Sequence, residues 1–144
     1  MSQQLKTPTL IDVRGPRFSA TITVIVLAIA LATQNAWVLA LQAVVFAIGA
    51  IRGPQFTPYA FIFKRIVKPR LRGEVVTEDS RPPQFAQSVG LIFALVAIGG
   101  ALSGVNAIFT VAVAFALGAA FLNAAFNFCL GCEIYLLLLR ALSK

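Results

Sequence analysis

The sequence predicts an all-α integral membrane protein, with four transmembrane helices folded as two antiparallel hairpins around a cytoplasmic amphipathic linker. Three observations carry that prediction. Hydrophobic residues make up 59% of the chain and charged residues 12%, with a mean hydropathy of +0.88, whereas a soluble domain carries roughly 45–50% apolar and about 25% charged residues. Four apolar tracts are separated by only two short turns and one longer polar loop. The twelve basic residues all lie outside those two turns. At 144 residues the chain reads as one membrane domain, 1–144, divided into a first hairpin at 17–52, a linker at 53–84 and a second hairpin at 85–142.

The N-terminal stretch MSQQLKTPTLIDVRGPR lacks the charged region, short apolar core and A-x-A-like site of a cleaved signal peptide, so the first apolar run is expected to stay in the mature protein. Gly15-Pro16 favours a turn. Asp12 is expected to pair with Arg14 or with a basic residue of the central loop, folding this segment over the cytoplasmic face. The first two tracts, Phe18–Thr33 and Ala36–Ile51, have 16 residues each. That is slightly short of the roughly 17–25 needed to span, a gap that flanking residues or a thinned bilayer can close. TQN joins them.

In the central loop, Tyr59, Phe61, Ile62, Phe63, Ile66 and Val67 predict a short interfacial helix with Lys64, Arg65 and Lys68 at the headgroups, ended by Pro69. GEVVTEDSRPP follows as a polar tip that either meets a soluble partner or merely connects the hairpins. The third tract is Phe85–Leu102. After SGVN the fourth runs from Val105 to Leu142, too long for one upright span, since about 34 helical residues reach about 51 Å. It is expected to bend, tilt or leave the bilayer, with a break near Gly131.

Charge placement gives the orientation. Lys6, Arg14 and Arg17 precede the first tract; Arg52, Lys64, Arg65, Lys68, Arg70, Arg72 and Arg81 lie between the hairpins; Arg140 and Lys144 end the chain. The positive-inside rule puts both termini and the central loop in the cytoplasm of a bacterial inner (plasma) membrane. The net charge of +7 then reflects topology and contact with the bilayer's anionic lipid headgroups, and no nucleic-acid partner is expected.

The inventory excludes several classes of chemistry. With no histidine, imidazole-ligated haem, histidine-rich zinc sites and Ser-His-Asp catalysis are outside the chain's means. Two cysteines complete a four-cysteine metal site only across a symmetric dimer, and no phosphate-cradling glycine loop is present. No cofactor or resident metal is expected. In the fourth tract, Asn123 and Asn127 share a helix face, and Ala116, Ala120 and Ala124 follow the small-x-x-x-small spacing that permits close helix approach. Both features read as packing.

The remaining chemistry lies in CLGC. Cys129 and Cys132 are the chain's two cysteines, in the spacing that cycles between dithiol and disulfide. Glu133 shares a face with Cys129. About 20 residues of helix cross the 30 Å core, so counting from Asn106 puts the pair near the cytoplasmic boundary. There the basic loop favours thiolate. Cys129, Cys132 and Glu133 are therefore the candidate catalytic residues, set against the plain alternative of small buried cysteines that only pack. A reducing cytoplasm predicts two thiols at rest. Which cysteine attacks is open: Glu133 lies beside Cys129, while Cys132 is better placed if a helix starts after Gly131.

IDVRGPRFSA, RGPQFTPYAFIF, RPPQFAQSVGL and FLNAAFNFCLGCEIYLLLLR together resemble an uncharacterised family of small bacterial membrane proteins common in actinobacteria, a domain of unknown function with a C-terminal C-x-G-C-E motif. The likeness covers nearly the whole chain, and LNAAF-x-FC-x-GCE-x-Y is its most specific part. The resemblance implies a membrane location and company with thioredoxin-like and thiosulfate sulfurtransferase (rhodanese-like) proteins. One function expected from this is a membrane thiol–disulfide or persulfide-relay component. Another is a non-catalytic accessory subunit packed beside other membrane protein subunits. A transporter for a small sulfur species is the third, and needs oligomerisation to enclose a path.

Overall fold

A computed structural model describes residues 10–71, 73, 76–126 and 128–142. The chain runs β1 (Leu10–Asp12), α1 (Arg14–Thr33), α2 (Ala36–Ile51), α3 (Pro58–Ile62), β2 (Thr77–Asp79), α4 (Arg81–Leu102), α5 (Asn106–Phe126) and α6 (Leu130–Leu142). The fold is all-α apart from the short ribbon that β1 and β2 form. Three helices, α1, α4 and α5, are long and apolar enough to cross a membrane; α2 is equally apolar but shorter, at 16 residues. That set is what a multi-pass membrane protein requires.

The four long helices close a ring in which α1 packs on α2 and α5, and α4 packs on α2 and α5. Each helix turns its small and branched residues inward. Leu27 and Ala30 of α1 meet Ala94 and Ala97 of α4, together with Leu39, Ala43 and Phe46 of α2 and Phe109, Ala112, Val113 and Ala116 of α5. Alanines at the contacts let the backbones approach closely, which drives association where lipid removes the hydrophobic term. The outer faces are apolar and open, as at Ile25, Leu41, Val44, Leu95 and Phe115, and Trp37 is 85% exposed at a hairpin end. Exposed side chains of this kind suit hydrocarbon, with the tryptophan at the interface level. Of the predicted small-residue stripe, Ala116 enters the core and Ala120 packs against it.

The turns have local causes. Gln34 takes a left-handed conformation (φ 53°) and returns its N–H to Ala30 O, and the Asn35 side chain then caps α2 by accepting the Trp37 N–H at 2.8 Å. In the second turn Gly104 (φ 80°) supplies the positive φ. At the opposite end of the bundle, Thr57 caps α3 by accepting the Ala60 N–H at 3.2 Å, with Pro58 at the first helical position. The helix continues past α3 as a wide π turn over Phe63–Val67 and a tight turn over Lys68–Arg70. Pro69 offers no N–H to the Arg65 carbonyl, which breaks the regular ladder there. Pro69, expected to end the helix, lies inside this last tight turn, which runs on to Arg70.

Four other elements differ from the sequence expectation. Gly15-Pro16, expected as a turn, lies in the first turn of α1, which starts at Arg14 ahead of Phe18. The acidic stretch expected as a solvated tip instead places Thr77–Asp79 antiparallel to Leu10–Asp12, in the register Leu10↔Asp79, Ile11↔Glu78, Asp12↔Thr77. This ribbon ties the N-terminal segment to the linker. Helix α4 begins at Arg81, ahead of Phe85, because Pro82 and Pro83 are well suited to a first turn that needs no N–H. The long last tract breaks between Phe126 and Leu130, before Gly131.

Candidate functional site

The break that ends α5 creates the setting of the cysteines. Arg17 of α1 reaches across the bundle end, donating from Nε to Ala124 O at 3.0 Å and from Nη2 to Ala125 O at 3.4 Å. A cation on the last carbonyls of a helix satisfies groups that have no partner within it. The Phe128 N–H then closes back on Leu122 O at 3.1 Å. Cys129 is the first residue after this reversal, and α6 starts from it.

Cys129 is the N-cap of α6. Its carbonyl accepts the Glu133 N–H at 3.0 Å, and its Sγ accepts the Cys132 N–H at 3.1 Å. The sulfur therefore takes the place of the side-chain oxygen that caps most helices. Cys132 stands one turn in, with a Cα–Cα separation of 5.1 Å, and the two sulfurs are joined in a disulfide. The resting dithiol expected from the sequence is thus not the form the structure holds. Both cysteines are half-buried.

Gly131 has a role other than the expected break. A Cβ built on it would lie 2.6 Å from Ala86 Cβ and 2.7 Å from Ala86 Cα. Only glycine lets the CLGC turn press onto α4. Tyr135 completes the seat, its ring 5.5 Å from that of Phe85. Beyond it, α6 buries no residue in the bundle, and Ile134, Leu136, Leu137, Leu138 and Leu139 remain exposed. At 13 residues, about 20 Å long, α6 is too short to cross a bilayer and has the form of a surface-lying helix.

Glu133 is exposed in the first turn of α6, where a carboxylate complements the helix dipole. Among the described residues its carboxylate makes no hydrogen bond or ion pair. Asn127 lies outside the described residues. Asn123 is half-buried. No group of three or more metal-ligating side chains occurs among the described residues.

Two polar clusters accompany the cysteines. Asp12 pairs with Arg14 at 2.9 Å and with Lys68 at 3.6 Å, so the pairing expected for it reaches both its neighbour and the central loop. The Arg14 side-chain hydrogen bond, with the charges of Arg14 and Lys68 behind it, holds the Asp12 carboxyl down at about 2 despite partial burial. Glu78, half-buried beside Asp79 on the ribbon, is pushed up first by burial and then by that neighbouring charge. A cavity of about 260 Å³ opens under Asp12, bounded by Ile11, Gly15, Gln55, Phe63 and Lys64.

The second cluster was not singled out by the sequence patterns above. The Tyr59 hydroxyl donates to Gln42 Oε1 at 2.7 Å, Gln42 Nε2 donates to Thr23 Oγ1 at 3.4 Å, and Thr23 Oγ1 donates to Ser19 O at 2.8 Å. Gln42 is wholly buried. The chain ties α3 through α2 to α1. Its signal in the sequence is the lone amide within AWVLALQAVVFAIGAI, a residue that must find a partner in a nonpolar span. Tyr59, expected on the apolar face of an interfacial helix, instead turns its hydroxyl inward.

Residues 11–140 match the family described as a domain of unknown function, DUF4395, and the chain belongs to that family. No curated protein and no solved structure matches it significantly.

Proposed function

We propose that this DUF4395 protein is a multi-pass membrane component of thiol–disulfide exchange, with Cys129 and Cys132 as its reactive pair. The observation that supports this most directly is the placement of a closed Cys129–Cys132 disulfide at the start of a helix, with an amide N–H on Cys129 Sγ. Thiols at helix N-termini have depressed pKa values and exchange readily. Both cysteines are half-buried rather than sealed in the core, which suits exchange with a second protein.

The topology that goes with this reading has four spans, α1, α2, α4 and α5, with both termini and the CLGC turn on the cytoplasmic side, because the basic residues cluster there. In the forward direction a dithiol pair reduces a partner disulfide of thioredoxin-like type. With a sulfurtransferase (rhodanese-like) partner the same pair works as a relay. One cysteine thiolate takes the outer sulfur of a partner persulfide and releases the partner thiol. The other cysteine then displaces hydrosulfide and closes the disulfide. Glu133 is positioned to stabilise the helix start.

The test is trapping in native membranes. Serine replacement of either cysteine should leave insertion and abundance unchanged, and should eliminate turnover with a partner. Extracytoplasmic reporters at Asn35 and Gly104, with a cytoplasmic one at Ser80, check the topology. If both serine variants retain full cellular function, the protein is better described as an accessory subunit whose cysteines pack.

A further inference from the structure

The chain contains the same unit twice, and the repeat runs from primary sequence to hydrogen-bond detail. Asp12-Val-Arg14-Gly-Pro16-Arg-Phe18 opens the first half and Asp79-Ser-Arg81-Pro-Pro83-Gln-Phe85 the second. In both, the aspartate accepts the arginine N–H at 2.9 Å. The inward residues of the helices correspond one to one: Leu27 and Ala30 with Ala94 and Ala97, and Leu39, Ala43 and Phe46 with Phe109, Val113 and Ala116. Arg17 holds the end of α5, and its counterpart Gln84 holds the end of α2 through Ala50 O at 2.8 Å. The ribbon is centred on Ile11 and Glu78, which correspond to each other. Two copies with the same direction and an antiparallel ribbon between them are related by an approximate twofold axis along the bundle.

The correspondence extends to the short helices. FTPYAFIFKRIVK (56–68) aligns without a gap on FCLGCEIYLLLLR (128–140). Phe63 stacks on Phe18 at 5.8 Å as Tyr135 stacks on Phe85 at 5.5 Å. The Thr57 hydroxyl accepts the Ala60 N–H at 3.2 Å, as Cys129 Sγ accepts the Cys132 N–H at 3.1 Å. Thr57 O accepts the Phe61 N–H at 3.0 Å, as Cys129 O accepts the Glu133 N–H at 3.0 Å.

Resting on the redox reading above, we infer that Cys129 is the attacking thiol and Cys132 the resolving one, because Cys129 occupies the capping position that Thr57 fills in the other copy. A capping atom is where partial negative charge is stabilised by helix N–H groups. The hydroxyl there caps α3 and donates to Pro54 O at 3.0 Å. A sulfur there is stabilised as thiolate. Cys132 corresponds to Ala60, a residue of the first turn with no capping role. The copies also differ in access: Thr57 is 1% exposed, whereas Cys129 is half-buried.

The step balances as follows. The Cys129 thiolate attacks one sulfur of a partner disulfide; that S–S bond breaks, a mixed disulfide forms, and one partner thiolate departs and takes a proton from water. Cys132 then loses its proton to water and attacks Cys129 Sγ. The mixed disulfide breaks, the second partner thiolate leaves and is protonated, and two electrons have passed from the pair to the partner.

The test uses the full chain in detergent, with 5,5′-dithiobis(2-nitrobenzoate) as the disulfide and iodoacetamide for titration. Cys132→Ser should form a stable adduct, and its remaining thiol should titrate roughly one pH unit or more below that of Cys129→Ser, with about tenfold faster reaction at neutral pH. Equal or reversed thiol pKa values overturn the assignment. Two equivalents of thionitrobenzoate released by the reduced wild-type chain, with no thionitrobenzoate retained on it by mass, would still uphold the redox pair in that case. No reaction at either cysteine of the reduced chain sinks both readings. The copy relationship has its own check: Thr57→Cys/Ala60→Cys, placed in a chain whose native cysteines are serines, should close a disulfide with diamide, read as loss of two hydrogens by mass. Failure to close overturns the equivalence of the two turns.

Discussion

The two halves build the same scaffold and secure their short helices in opposite ways. In the first half, α3 is fastened from inside: Tyr59 passes its hydroxyl to Gln42, and Thr57 is sealed beneath it. In the second half the residue corresponding to Tyr59 is Gly131, and α6 has no buried residue. The turn is laid against Ala86 and closed on itself by sulfur. The α3 segment also carries Lys64, Arg65 and Lys68 where α6 carries Leu136, Leu137 and Arg140. One copy is thus an anchor with a basic outer face. The other is an apolar helix seated by the contact of Gly131 with Ala86 and of Tyr135 with Phe85, its first turn closed by a disulfide. The two turns differ at the corresponding pairs Thr57 and Cys129, Tyr59 and Gly131, and Ala60 and Cys132, and these differences set a sealed anchor apart from a turn that sulfur closes.

The largest effect that distinguishes the halves is expected from Gly131→Val. Its Cβ must displace Ala86, whose Cα is part of the α4 backbone and cannot yield. Overpacking of this kind costs about 1–3 kcal/mol, and the strain is relieved by lifting α6 from α4. Trypsin cleavage after Arg140 should accelerate while thermal unfolding of the bundle in detergent shifts little, since α6 buries no residue in it. Unchanged cleavage would show that α6 is held by something other than this contact.

Next in size is the anchor itself. Tyr59→Phe removes a donor and leaves Gln42 Oε1 buried without its partner. The cost should be about 1–3 kcal/mol in thermal stability. Adding Gln42→Leu removes the stranded amide as well, so the double variant should be more stable than the sum of the two single losses. Strict additivity would mean that the tyrosine and glutamine do not act as a pair. Thiol reactivity at Cys129 should not change in either variant, which keeps this test separate from the redox one.

Much of this was legible in the sequence, for identifiable reasons. Apolar tract length and the segregation of basic residues are properties of whole segments, and they gave the long helices and the two turns. The Asp12 pairing was legible because aspartate and arginine two apart at a helix start have few other partners. The break before Leu130 was misplaced at Gly131 because a glycine in a long helix signals either a kink or a close contact, and only the position of Ala86 decides between them. The ribbon was missed because three-residue strands have no periodicity of their own, and Thr77–Asp79 is polar enough to read as a loop. The role of Cys129 was illegible locally. It becomes visible only beside Thr57, in a repeat that hydropathy does not reveal because both copies are equally apolar.

The smallest effect separates the two aspartates that open the copies. Asp12 is nearly closed off, its side chain 6% exposed between Arg14 and Lys68, whereas Asp79 is 32% exposed beside Arg81. Both carboxyls are held below the usual range chiefly by the arginine side-chain hydrogen bond, and Asp12 goes from 3.8 to about 2. A carboxyl lowered on folding stabilises the fold above its unfolded pKa, and that contribution is lost as pH falls through the folded value. For Asp12 the loss therefore begins near 3.8 and is complete a little below 2. At neutral pH Asp12→Asn should cost more stability than Asp79→Asn, since a pair with an exposed side is weakened by solvent. Titrating the wild-type chain downward should bring it toward the Asp12→Asn variant over that window, with a smaller convergence for Asp79→Asn. Equal costs at neutral pH would mean that the Lys68 contact adds nothing, and that the ribbon, rather than the loop cation, holds the N-terminal segment on the bundle.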